Sequence, residues 1–171
     1  MGSMKIKMQV CAAVAVFLFG AWASQGQVVA SSTPNRSIAK IDSVQYLFPE
    51  QVSVTAGKPI LLALHFRIAQ GLHINSHTPS EDYLIPTTFS IPGGVGVRLD
   101  AATYPAGTAM TLPADPTTKL SVYTGEFIIQ ARIVATPGDH LVQAKLRYQA
   151  CDQNQCLPPK TIAVPIDVIA K

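Results

Sequence analysis

From Ile41 onward, hydrophobic and polar residues alternate with the period of two that a half-buried strand requires. In Ile60–Ile68, Leu62, Leu64, Phe66 and Ile68 share one face, and Ala63, His65 and Arg67 share the other. Glu126–Val134 repeats the pattern with Phe127, Ile129, Ala131 and Ile133. The clearest strand carries Val142, Ala144, Leu146 and Tyr148 inward and Gln143, Lys145, Arg147 and Gln149 outward. A last run repeats it with Ile162, Val164, Ile166 and Val168. Pro165 lies on the outward parity of that run. It has no amide to donate, which predicts an edge strand. Thr87–Ile91 and Val95–Leu99 flank the turn signal Pro92-Gly93-Gly94, and Thr136–Asp139 forms another turn. Ala101–Leu120, with Pro105, Pro113 and Pro116, reads as a long loop, a length that suits a binding loop or lid.

After residue 23 no segment has a helical period. Thirteen prolines and eleven glycines punctuate short strand-like runs. The prediction is an all-β, immunoglobulin-like β-sandwich. Its cysteines are not the antibody pair, which bridges two sheets across a long stretch of chain around a tryptophan.

The first residues have a different character. Lys5 and Lys7 precede an apolar run, Val10–Phe19, that is too short to span a bilayer comfortably. Ala21-Trp22-Ala23 fits a small-x-small cleavage site, with Val28-Val29-Ala30 as a second candidate. The expected organisation is a signal peptide at 1–23, a flexible lead-in at 24–40 and one domain at 41–171. Met1-Gly2-Ser3, ahead of Met4, reads as a cloning remnant. The competing reading is an uncleaved anchor. Cleavage after Ala23 removes Trp22, Cys11 and two of the thirteen lysines and arginines but none of the ten acids. The net charge then falls from +3 to +1. No basic cluster remains, so nucleic acid is not an expected partner. An exported chain meets conditions in which disulfides persist.

Cys151 and Cys156 are the two cysteines left. They lie at the predicted tip of a hairpin, with Pro158 and Pro159 directly behind. Closing so short a loop contributes about 2 kcal/mol by chain entropy. That is little for a domain with a sizeable core, and it leaves two readings open. The pair is either a structural staple or a reversible redox centre, and the spacing does not choose between them. It is not Cys-x-x-Cys, and no helix N-terminus follows to lower a thiol pKa. Asp152 disfavours a thiolate at Cys151, and Arg147 and Lys160 are the cations nearby in sequence.

The run Tyr148-Gln149-Ala150-Cys151…Cys156-Leu157-Pro158-Pro159-Lys160-Thr161 resembles the N-terminal periplasmic domain of the DsbD thiol:disulfide interchange proteins. The specific part of the resemblance is Arg147–Thr161, and a coarser likeness extends over Ile41–Ile169. It implies an immunoglobulin-like fold and a protein-disulfide reductase activity. It also implies a periplasmic location and a link to cytochrome c maturation. Reducing equivalents would pass from a membrane thiol-electron transporter to oxidised thioredoxin-like proteins. Cys156 would form the mixed disulfide and Cys151 would resolve it. No cofactor would be required, and a monomer is expected. In this family a loop caps the cysteine pair. The matching segment is Leu120–Gly125, where Leu120, Ser121 and Val122 replace an acidic pair and a phenylalanine, with Tyr123 beside them. Gly71–Asn75 matches a tyrosine-bearing stretch that flanks the family's site. It places His73 and Asn75 there, and Tyr148 is the third flanking residue. His73 is expected to be a solvated loop histidine; the competing role is exchange of a thiol proton. Since the family's proteins continue into a membrane domain, the electron donor would be a separate protein unless the chain is a fragment.

Two other functions fit the same residues. One is an exported immunoglobulin-like binding module whose disulfide only pins a hairpin. The other is a metal carrier using His73, His77 and Met110, for which the ligand set is incomplete. Glu81 and Asp82 are adjacent and point apart in an extended chain, so they do not form a hydrolase pair.

Overall fold

The computed structural model describes residues 42–48 and 50–171. The proposed signal peptide and cleavage sites, Cys11 and the lead-in lie outside the described residues. The strands are β1 (Val44–Leu47), β2 (Glu50–Val54), β3 (Ile60–Ile68), β4 (His73–Asn75), β5 (Thr88–Ser90), β6 (Val97–Thr103), β7 (Thr108–Leu112), β8 (Asp115–Tyr123), β9 (Glu126–Ala135), β10 (Gly138–Tyr148), β11 (Ala150–Cys151) and β12 (Lys160–Ala170). The described residues contain no helix, so none is long and apolar enough to cross a membrane.

The alternating runs build an immunoglobulin-like β-sandwich. One sheet has the order β1-β3-β9-β6 and is antiparallel throughout. The other has the order β2-β12-β10-β5. Leu62, Leu64 and Phe66 of β3 and Ile129 and Ile133 of β9 enter one core. Val142, Ala144 and Leu146 of β10 and Val164, Ile166 and Val168 of β12 meet them there. Every inward residue read from the alternation of β3, β9 and β10 is buried. Phe66 stacks on Phe127, and Phe127 on Tyr123, with centroids 5.2 and 5.0 Å apart.

Two expectations change. Ala101–Leu120 is not a long loop. It contains the end of β6 and the β7–β8 hairpin, whose turn is Pro113-Ala114 between the paired Leu112 and Asp115. The Asp115 carboxylate accepts hydrogen bonds from the amides of Thr117 and Thr118 and from the Thr117 hydroxyl. Such bonds, from Thr118 and Thr117, hold its pKa down at about 2. Pro113 therefore sits within a tight turn, Pro116 just beyond it and Pro105 in the β6–β7 connection, and none prevents the pairing. Nor is β12 an edge strand. It pairs with β10 along its whole length, and β2 pairs in parallel with its second half, from Ile166 to Ala170. Pro165 lies one residue before the first described pair with β2 and is itself paired with Gln143 of β10.

The third sheet, with order β11-β4-β8-β7, was not legible as such in the sequence. It carries Cys151 in β11 and His73 in β4.

The two faces of β3 differ enough to be tested in one strand. Leu64 is fully buried, whereas Leu61 is 63% exposed. Leu64→Ala should cost about 2–5 kcal/mol of unfolding free energy, and Leu61→Ala less than about 0.5 kcal/mol. Urea denaturation of the oxidised domain measures both. Equal losses would contradict the assigned faces.

Candidate functional site

The β10–β12 ladder delivers the cysteines. Its pairing runs without interruption from Gly138 opposite Ala170 to Tyr148 opposite Lys160. Continued in that register, Cys151 would face Leu157. Pro158 and Pro159 have no amide protons, so the ladder cannot continue through them. It slips by one residue: the Leu157 amide donates to the Ala150 carbonyl at 2.8 Å, and Cys151 faces Cys156. The two cysteines form a disulfide, with Cα atoms 3.9 Å apart.

Asp152 builds the tip. Its Oδ1 accepts hydrogen bonds from the amides of Asn154 and Gln155 at 2.7 and 2.8 Å. The Asp152 amide donates to the Gln155 carbonyl at 2.9 Å. This is the local side-chain turn that aspartate favours. The hydrogen bonds from Asn154 and Gln155 also hold its carboxyl below the usual aspartate value.

The two sulfur-bearing residues are not equivalent. Cys151 is only 3% exposed, whereas Cys156 is exposed. Cys151 is covered because β11 leaves the sandwich and pairs with β4, placing Cys151 opposite His73 and Ala150 opposite Ile74. Residues directly opposite in an antiparallel pair project to the same face, with Cβ atoms about 4.5–5.5 Å apart. Strand β4 in turn pairs with β8, Ile74 opposite Tyr123 and Asn75 opposite Val122.

Polar groups tie this small sheet to the sandwich. Asn75 Nδ2 donates to the Ile85 carbonyl at 3.1 Å, and the buried Thr87 hydroxyl donates to the Asn75 carbonyl at 2.6 Å. The Ser76 and Ser121 hydroxyls meet at 2.8 Å. Gly107 is required beside them, since a Cβ there would lie 2.1 Å from the Ser121 oxygen.

A cleft of ≈ 250 Å³ opens over the disulfide. His73, Asn75 and both cysteines line its floor, and Leu112 and Leu120 of the β7–β8 hairpin form one wall. Tyr83 and Leu84, from the connection between β4 and β5, complete it. Leu120 lines the cleft from the segment matched to the cap. Val122 and Tyr123 are buried in β8 and do not line it. The Tyr123 hydroxyl accepts from the His77 amide at 3.1 Å and donates to the Pro105 carbonyl at 3.0 Å. Tyr148 is fully buried and lies beside a separate recess bordered by Leu157 and Pro159. Burial pushes its phenol pKa up.

The expectation of a solvated loop histidine at position 73 is overturned. His73 is in a strand and 5% exposed. Burial lowers its pKa from the ordinary 6.5, and the nearby Asp152 charge acts in the opposite direction. Its partner in the metal reading is engaged elsewhere. The His77 ring stacks on Tyr104 with centroids 3.7 Å apart, and its Nδ1 lies 2.9 Å from the Thr87 carbonyl oxygen. Among the described residues no group of three or more His, Cys, Asp or Glu side chains converges. Of the two cations near the cysteines in sequence, Lys160 is ion-paired with Asp42 and Arg147 is solvent-exposed.

Tyr83, Leu84 and Leu112, together with Asn154 and Gln155 of the cysteine loop, are lining residues that sequence reasoning missed. For Tyr83 and Leu84 the available signal was a pair of large apolar residues between Pro79 and Pro86, in a stretch with no strand period. For Leu112, the Pro113 turn hid the hairpin.

The geometry permits thiol–disulfide exchange: two sulfurs close enough to bridge, on residues of which one is exposed. Comparison with known proteins agrees. The family model for the N-terminal domain of thiol:disulfide interchange protein DsbD matches residues 43–167. No curated protein sequence matches. Solved structures similar to the chain include the reduced N-terminal domain of DsbD from Neisseria meningitidis, at 18% identity and a TM-score of 0.43. That alignment covers 61% of this chain and 74% of the other. The N-terminal periplasmic domain of ScsB from Proteus mirabilis is also similar, at 10% identity and a TM-score of 0.49. It aligns with 72% of this chain, which spans 44% of the ScsB chain. The family match includes both cysteines, the strands that present them and the sheet beneath them, and by it the chain belongs to the family of DsbD N-terminal domains.

Proposed function

We propose that this domain relays reducing equivalents in the periplasm through a reversible Cys151–Cys156 disulfide. A membrane thiol-electron transporter supplies them, and oxidised thioredoxin-like proteins receive them. The observation that carries the reading is the unequal exposure of the two cysteines. Family membership supports the direction of transfer, and the apolar N-terminal run supports export.

In the reduced domain the Cys156 thiolate attacks one sulfur of the partner's disulfide. A Cys156–partner disulfide forms, and the partner's other sulfur leaves as a thiolate. The Cys151 thiolate then attacks Cys156 Sγ, which restores the intramolecular disulfide and expels the second partner thiolate. Two electrons pass to the partner, and the domain ends oxidised. The membrane donor reverses the sequence: its thiolate attacks Cys156, and Cys151 leaves. Burial makes Cys151 inaccessible to foreign disulfides while leaving it next to Cys156. Leu112, Leu120, Tyr83 and Leu84 crowd the cleft and restrict approach to the exposed side.

The assignment separates the two cysteines experimentally. Reduced Cys151→Ser protein mixed with an oxidised thioredoxin-fold protein should accumulate a mixed disulfide on a non-reducing gel. Reduced Cys156→Ser protein should give none. Iodoacetamide should alkylate Cys156 in the first variant on the order of tenfold faster than Cys151 in the second, since reaction follows access. Adducts of equal yield in both variants, or in neither, would contradict the assignment.

A further inference from the structure

The proposed resolving step has an unmet requirement. Cys151 must lose a proton to attack, yet it is almost fully buried, and burial in apolar surroundings disfavours a thiolate. The carboxylate nearest in sequence, Asp152, already accepts two backbone hydrogen bonds and adds a negative charge, which disfavours the thiolate further. Cys151 therefore needs a neutral base on its own face of the sheet.

We propose that His73 accepts the proton of the Cys151 thiol when Cys151 resolves the mixed disulfide, and returns it when Cys151 leaves in the reverse reaction. This rests on the relay reading above. Two geometrical facts carry it. His73 is directly opposite Cys151 in the β4–β11 ladder, so the two side chains share a face. Among the described residues, His73 is also the one that lines both the cysteine cleft and a second cavity of ≈ 610 Å³, bordered by Arg67, Met110, Glu126 and Gln153. A proton taken from the sulfur side can therefore leave on the other.

Burial keeps the ring neutral near pH 7, the form that can accept a proton. The charged and titratable groups around it are few. Cys151 and Asp152 flank it from β11 and the loop that follows, and Cys156 and Tyr83 line the same cleft. Arg67 and Glu126 lie on the far cavity and are ion-paired to each other at 2.7 Å. The step balances. Cys151–SH gives its proton to an imidazole nitrogen, the resulting thiolate forms a bond to Cys156 Sγ, and the Cys156–partner S–S bond breaks. The partner leaves as a thiolate carrying the electron pair, and the imidazolium then loses its proton to solvent.

The test uses the chromogenic reagent 5,5′-dithiobis(2-nitrobenzoate) on the reduced domain. The first aryl thiolate released reports attack by Cys156, and the second reports resolution by Cys151. In the native protein the second rate should hold down to a pH below 6.5, the ordinary histidine value, and fall as the ring protonates. His73→Gln should slow the second release by about 100-fold at pH 7 and abolish that inflection, with a far smaller effect on the first release, so that the ratio of the two rates changes. An independent readout is the titration midpoint of the His73 ring by NMR in reduced native protein, which should coincide with the kinetic inflection. A second release unaffected by His73→Gln, or a ring midpoint that departs from the inflection, would overturn the assignment. Loss of the first release in the native protein would instead overturn the relay reading itself.

Discussion

The site depends on a one-residue slip in the β10–β12 ladder. Eleven consecutive pairs hold these two strands in one register. Their inward residues fill the core and fix that register, since a shift of one residue would turn each of them outward. The slip can occur only where the ladder ends, and Pro158 and Pro159 end it by withholding two donors. The Leu157 amide then reaches Ala150, and the sulfurs come opposite each other. A rigid frame thus places the cysteines, while the loop that carries Cys156 remains exposed and held mainly by the Asp152 turn.

The third sheet gives the pair its asymmetry. Strand β11 is only two residues long and contributes little hydrogen bonding of its own. Its value lies in direction. By leaving β10 for β4 it buries Cys151 against His73 and leaves Cys156 outside. The β7–β8 hairpin and Tyr83-Leu84 then close around the pair from two sides. One sulfur is addressable and the other sequestered, which is what ordered exchange with a larger partner requires.

The sandwich was legible because its long strands alternate cleanly and the inward residues of β3, β9 and β10 all face one core. The cysteine hairpin was legible from the two prolines and the family's spacing. The rest of the site was not, for physical reasons. Strand β4 is three residues long and buried at every position, so it has no alternation to read. His73, in the polar setting of Asn75, Ser76 and His77, therefore looked like a loop residue, and its burial comes from pairing with β11 and β8. The β7–β8 hairpin was hidden by proline content that serves its turn. Pro165 suggested an edge because the parallel partner β2 starts one residue later, a coincidence of tertiary structure that a local rule cannot see.

The proposed relay requires this disulfide to open and close in the folded protein. The most direct measurement is the reduction potential of the Cys151–Cys156 pair, from equilibration in glutathione and dithiothreitol buffers with the fold followed by circular dichroism. Reversible reduction is expected between about −120 and −270 mV, the range of exchange-active proteins, with the fold retained. Reduction only below about −300 mV, the range of structural disulfides, or only on unfolding, would contradict it.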